Sequence, residues 1–112
     1  MPEQFKRHRS YVNEGTLDPN KDVYLYIQDD PDHGLEEPAG SGYVINDGPG
    51  TLGIKTSDDG GGYTRQITVN IGEMVEWECG DDELIHTVYL IADSYGASYR
   101  CRFVRSKQVW VV

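Results

Sequence analysis

The regular alternation of apolar and polar residues in the second half of the chain constrains the fold most. It runs through residues 67–71, again through 75–79 after a turn at Gly72, and once more through 99–103. A repeat of two is typical of a β-strand with one buried face, because successive side chains point to opposite sides of a sheet. The first two segments predict a β-hairpin. The almost continuous apolar run 84–92 predicts a central strand.

Short apolar runs occur elsewhere in the chain between turns rich in Gly, Pro and Asp. They lie at residues 23–27, 43–45, 52–54 and 109–112. Strands at intervals of roughly 8–12 residues are typical of sandwiches and small barrels. The sequence therefore predicts an all-β fold, a small antiparallel β-sandwich or barrel of about eight short strands. A length of 112 residues leaves room for one domain.

Residues 1–21 show neither a helical nor a strand period, and they predict an extended N-terminal arm. The single β domain is then expected to span residues 22–112. A frayed terminus is the alternative interpretation. The other interpretation is an arm that docks on a partner protein, where it adds a strand or wraps a surface. The partner-binding residues expected in the arm are Phe5, Lys6, Arg7, Arg9 and Tyr11.

Charge is distributed unevenly along the chain, whose net charge is −9. Residues 28–97 contain fifteen acids and two bases, whereas residues 98–112 contain four bases and no acid. This balance excludes general binding to nucleic acid or to an anionic membrane. One interpretation is a solvated acidic surface with a compensating basic strand. The other is a basic strand that meets the acidic face of a neighbour, through Arg100, Arg102, Arg105 and Lys107.

The two cysteines, Cys79 and Cys101, are too few for a disulfide scaffold. Strand parity places both on the inward face of their strands. They are either two buried thiols or a disulfide between neighbouring strands, which requires Cα atoms within about 7 Å of each other.

The segment 69–88 contains Gly72, Val75 and Trp77 in a Gly-x-x-Val-x-Trp pattern and then the pair His86-Thr87. It resembles the segment before the first copper-binding histidine of cupredoxins. The resemblance implies a Greek-key β-sandwich with His86 as a metal ligand. A blue-copper site also needs a cysteine thiolate and a second histidine. No histidine or methionine follows Cys101, so we expect no copper site.

Other chemistry finds little support in the sequence. An acidic stretch at 29–37 has the oxygen ligands that calcium prefers, but Pro31 interrupts the spacing of an EF-hand loop. The three histidines, His8, His33 and His86, are accompanied by no signature of a nucleophile and its base. We therefore expect no catalytic residues, no metal and no cofactor.

The sequence thus favours a non-catalytic structural or assembly protein. The most specific hypothesis is a virion component, such as a capsid decoration, cement, neck or tail protein. It would bind protein, either copies of itself or a larger assembly. The alternatives are an acidic inhibitor that imitates nucleic acid and a metal-free cupredoxin-like binding module. No signal peptide or membrane-spanning run is recognisable, so a virion or cytoplasmic location is expected.

Overall fold

The structure is a computed structural model that describes residues 10–59, 61–78 and 84–105. These residues form eight β-strands. The strands are β1 (Ser10–Leu17), β2 (Asp22–Leu25), β3 (Ala39–Pro49), β4 (Leu52–Ser57), β5 (Ile67–Val69), β6 (Met74–Glu78), β7 (Thr87–Ala92) and β8 (Ala97–Arg105). The predicted all-β class is confirmed. The last predicted strand, 109–112, lies outside the described residues.

The strands form two antiparallel sheets of four strands each. The first sheet has the order β1-β8-β3-β6, and the second has the order β2-β7-β4-β5. Strand β1 therefore pairs with β8, β2 with β7, β3 with β6, and β4 with β5. This is the strand order of a jelly roll, in which one long antiparallel hairpin is rolled into two facing sheets.

Both sheets contribute side chains to one hydrophobic core. Strand β8 lies between β1 and β3, and its residues Tyr99, Cys101 and Phe103 are buried while Arg100 and Arg102 are exposed. The inward residues of β7 and β4 in the second sheet join the same core. The alternation predicted for 99–103 and the central position predicted for 84–92 are both confirmed, because β7 pairs on both of its sides.

The hairpin predicted from residues 67–79 is wrong. Strand β5 pairs with β4 in the second sheet, whereas β6 pairs with β3 in the first. The turn between β5 and β6 forms two backbone hydrogen bonds with Asn46 of β3. The Gly72 N–H donates to the Asn46 carbonyl at 2.7 Å, and the Asn46 N–H donates to the Glu73 carbonyl at 3.0 Å. The turn therefore carries the chain from one sheet to the other.

Residues 10–17, which the sequence placed in the arm, form β1 and pair along their whole length with β8. Their strand period is hidden because a polar and a small residue, Asn13 and Gly15, occupy the two middle inward positions. Tyr11 and Leu17 are buried, Asn13 donates to the Tyr11 hydroxyl at 3.0 Å, and Gly15 leaves room for the Tyr99 ring. Residues 10–17 thus belong to the β domain, and residues 1–9 of the predicted arm lie outside the described residues.

Candidate functional site: the outer sheet faces

The outer face of the β1-β8-β3-β6 sheet carries rows of side chains set by strand register. One row runs across all four strands as Val12, Arg102, Tyr43 and Glu76. Val12 is 59% exposed, and Arg102 and Glu76 are exposed as well. Arg102 forms no hydrogen bond or ion pair with any described residue. We call this surface the charged face, since it presents both signs of charge beside exposed apolar side chains.

The neighbouring row contains Arg100, the second predicted basic residue. Its guanidinium makes a two-pronged contact with Asp47, from Nε to Oδ2 at 2.7 Å and from Nη2 to Oδ1 at 3.0 Å. The hydrogen bonds from Arg100 hold the pKa of Asp47 below its ordinary value. Glu14 lies directly opposite Arg100 on β1. Arg100 is therefore largely compensated within its own chain.

Arg105 is not part of the charged face, although the sequence grouped it with Arg100 and Arg102. It is 8% exposed; its Nη1 donates to the Leu35 carbonyl at 3.4 Å, and its Nε lies 3.5 Å from Glu37 Oε1. Arg105 is buried because the side chains at odd-numbered positions of β8 point inward. This corrects the prediction that Arg105 meets a partner. Lys107 lies outside the described residues.

The residues predicted in the arm are separated by the structure. Phe5, Lys6, Arg7 and Arg9 lie outside the described residues. Tyr11 is 1% exposed and packs in the core. Burial raises the pKa of its hydroxyl to about 12, an effect partly offset by the hydrogen bond from Asn13. Tyr11 is thus a core residue, which corrects its assignment to partner binding.

Cys101 is a free thiol on the inward face of β8, as strand parity predicted. Burial raises the pKa of this thiol to about 12, so it stays protonated at neutral pH and is a poor nucleophile. Cys79 lies outside the described residues.

His86, the ligand implied by the cupredoxin resemblance, has local partners. Its Nε2 lies 3.1 Å from Asp29 Oδ2, and its Nδ1 lies 2.7 Å from the Thr87 hydroxyl. Among the described residues there is no group of three or more His, Cys, Asp or Glu side chains that could hold a metal ion. The same residues contain no helix with the length and apolar character to cross a membrane.

Several acidic side chains of the loops accept hydrogen bonds from nearby backbone. Asp59 Oδ1 accepts from the N–H groups of Gly61 and Gly62, and these bonds lower its pKa. Asp93 accepts from the N–H groups of Thr51 and Tyr95, with the same effect on its pKa. These carboxylates stabilise turns of their own chain.

A cavity of about 530 Å³ opens beside β4, β5 and β6. Ile54, Ile67, Trp77 and Ile85 supply apolar lining, and Lys55, Asp58 and Arg65 add charged groups. The volume falls in the range of small-molecule sites. No histidine or cysteine is among its described lining residues.

Four tyrosines form a cluster on the outer face of the second sheet that the sequence analysis missed. Tyr24 is the shared neighbour: its ring centroid lies 4.8 Å from that of Tyr89, 6.3 Å from Tyr26 and 6.3 Å from Tyr63. We call these four residues the tyrosine patch. Outward parity of Tyr24 and Tyr26 could be read from the sequence. The contacts of Tyr24 with Tyr63 and Tyr89 depend on which strands pair and in which register, and the sequence does not show this.

No family model, no curated protein and no solved structure matches this chain.

Proposed function

We propose that the protein is a non-catalytic assembly protein that binds protein through its charged face. Its most specific form is a virion component, such as a capsid decoration, cement, neck or tail protein. The jelly roll is a fold used by capsid proteins, and also by lectin domains and cupins, so the fold supports the proposal only by analogy.

The observation that carries the proposal is the position of Arg102. Its exposed side chain stands between Val12 and Tyr43 on a sheet face and has no charged partner among the described residues. Arginine and tyrosine beside an apolar side chain are typical of the residues that dominate protein interfaces. A cation with no acidic partner in the described part of an acidic chain is a natural contact for another copy of that chain.

The two signs of charge make the face complementary to itself. In a two-fold interface the same surface meets itself, so Arg102 of one copy can lie opposite Glu14 or Glu76 of the other. Complementary charge of this kind fixes orientation and register more than it adds affinity.

Sedimentation velocity at about 50 mM and about 300 mM salt tests this interface. We expect a defined oligomer that dissociates more readily at the higher salt. Arg102→Glu should weaken association by about tenfold or more, because it places like charges in contact. Arg65→Glu is the matched control, since it makes the same charge change at an exposed position away from the charged face. A monomer at every concentration, or equal weakening by both variants, would overturn self-association through this face.

The arm remains part of the proposal through Phe5, Lys6, Arg7 and Arg9. Its deletion must stop at residue 9, because removing residues 10–17 would also remove β1. We expect a chain lacking residues 1–9 to keep the thermal unfolding midpoint of the full chain but to associate more weakly. Unchanged association of this truncation would show that the arm does not dock.

A further inference from the structure

We propose that the tyrosine patch is a docking surface for arginine side chains of a partner protein. This inference goes beyond the interface proposed for the charged face and does not depend on it, because the patch lies on the outer face of the other sheet.

The rings of the patch are held in place yet remain accessible. Tyr24 and Tyr26 are 46% and 51% exposed. Tyr24 lies opposite Tyr89 in the β2–β7 register, and Tyr89 lies opposite Lys55 in the β4–β7 register. The Tyr89 hydroxyl donates to Asp22 Oδ2 at 2.9 Å, which fixes the inner edge of the cluster. Tyrosines positioned in this way offer large contact area at little cost in conformational entropy.

The patch already binds a cation from its own chain. The Lys55 Nζ lies 5.1 Å from the ring centroid of Tyr89 and 5.9 Å from that of Tyr63, within the range of cation–π attraction. No cationic side chain of the described residues lies over Tyr24 or Tyr26. These two outer rings are nearly parallel, with an angle of 15° between their planes. A planar guanidinium can stack on such rings, whereas an ammonium offers no plane to stack.

The charge around the patch favours a basic partner and disfavours an anionic one. Residues 22–63, which contain three of the four tyrosines, carry nine acids and a single base, Lys55. Asp22 borders Tyr89, and Asp29 and Asp30 closely follow Tyr26 along the chain. Carboxylates near the rings can pair with a guanidinium while it stacks. Charge complementarity and ring geometry therefore identify the same ligand group.

The test compares two fluorescently labelled peptides of equal charge, nona-arginine and nona-lysine, by anisotropy at about 150 mM salt. Any acidic protein attracts both peptides, so the preference for arginine is the quantity that matters. We expect the wild-type chain to bind nona-arginine about fivefold more tightly than nona-lysine, because planar stacking of the guanidinium adds to the cation–π attraction that both cations share. Equal affinity for the two peptides would overturn the proposal.

Substitutions in the tyrosine patch then test whether the preference for nona-arginine over nona-lysine arises there. Replacing both Tyr24 and Tyr26 by leucine should abolish the preference for arginine, and replacing both by phenylalanine should keep it, because the rings remain. Tyr43→Leu on the charged face is the control and should keep it as well. A preference that survives the double leucine variant would overturn the proposal. Equal thermal unfolding midpoints for the leucine and phenylalanine pairs exclude misfolding as the cause.

Discussion

Asn46 connects the two sheets through its side chain. It is fully buried; its Nδ2 donates to the carbonyls of Gly50 and Val69, each at 2.9 Å, and its Oδ1 accepts from the Gly48 N–H at 2.7 Å. Asn46 belongs to β3, whereas Val69 belongs to β5 of the other sheet. Because the side chain is buried, the backbone groups that it satisfies have no easy replacement in water.

Asn46→Ala should therefore lower the free energy of unfolding by about 2–4 kcal/mol, from lost hydrogen bonds and unsatisfied buried backbone groups. Urea unfolding measures this change. Asn70→Ala is the control, because the Asn70 side chain is exposed, and it should cost no more than about 0.5 kcal/mol. If the two alanine variants unfold at the same urea concentration, the side chain of Asn46 does not hold the sheets together.

Residues such as Asn46 show where sequence reasoning at this scale reaches its limit. The alternation of β8 is visible because its inward positions from Ala97 to Phe103 are all apolar. Asn46 begins the run Asn-Asp-Gly-Pro-Gly, which is typical of a solvated turn, and its burial follows only from the approach of β5. Which described residues lie beside Arg102 likewise depends on which strands flank β8. The alternation of residues along one strand predicts which face of the sheet a side chain lies on, but not which side chains of other strands it contacts.

At the scale of elements, β8, β3 and β6 are joined by two aromatic rings packed across a glycine. Gly42 pairs with Phe103 on one side and with Trp77 on the other, and the two ring centroids lie 5.7 Å apart. A Cβ atom at Gly42 would overlap the Phe103 ring and lie 2.5 Å from the Arg102 carbonyl oxygen. The missing side chain lets the neighbouring rings meet over the strand.

Gly42→Ala should destabilise the protein by about 1–3 kcal/mol, because the backbone oxygen of Arg102 cannot move aside as a side chain could. Thermal or urea unfolding gives the value. Ser41→Ala, one position earlier on the same strand, should change stability by no more than about 0.5 kcal/mol. A Gly42 variant as stable as the Ser41 variant would show that the strands separate at little cost.

The mistaken hairpin at 67–79 shows the corresponding limit for elements. Two alternating strands and a short turn look the same whether the strands pair with each other or pass into different sheets. The choice depends on β3 and β4, which lie earlier in the chain and take β6 and β5 as their respective partners. The all-β class and the strands from β2 to β8 could therefore be predicted from the sequence, but β1 and the order of the strands could not.

At the scale of the whole molecule, the acidic composition and the fold are linked through the carboxylates that accept hydrogen bonds in turns. Backbone N–H donors lower the pKa of Asp59 and Asp93, and Arg100 lowers that of Asp47. Desolvation opposes ionisation of Asp30, but the N–H groups of Asp32 and His33 donate to its carboxylate and the net effect lowers its pKa. A carboxyl with a lower pKa in the folded than in the unfolded chain stabilises the fold only while ionised.

The sign of the pH dependence follows from this link. The stabilisation is complete above the unfolded pKa, near 3.8 for aspartate, and it is lost as pH falls through the lower folded value. We therefore expect the unfolding midpoint to hold steady down to about pH 5 and to fall between about pH 4 and pH 2.

Asp93→Asn keeps the shape of the side chain without its charge. It should be less stable than the wild type at pH 7, with a difference that shrinks as the pH falls through this range. Asp18→Asn is the control, since the Asp18 carboxylate accepts no hydrogen bond within the described residues, and thermal unfolding across the pH series compares all three chains. A difference between Asp93→Asn and the wild type that stays constant from pH 7 to pH 2 would mean that this carboxylate does not couple the fold to protons.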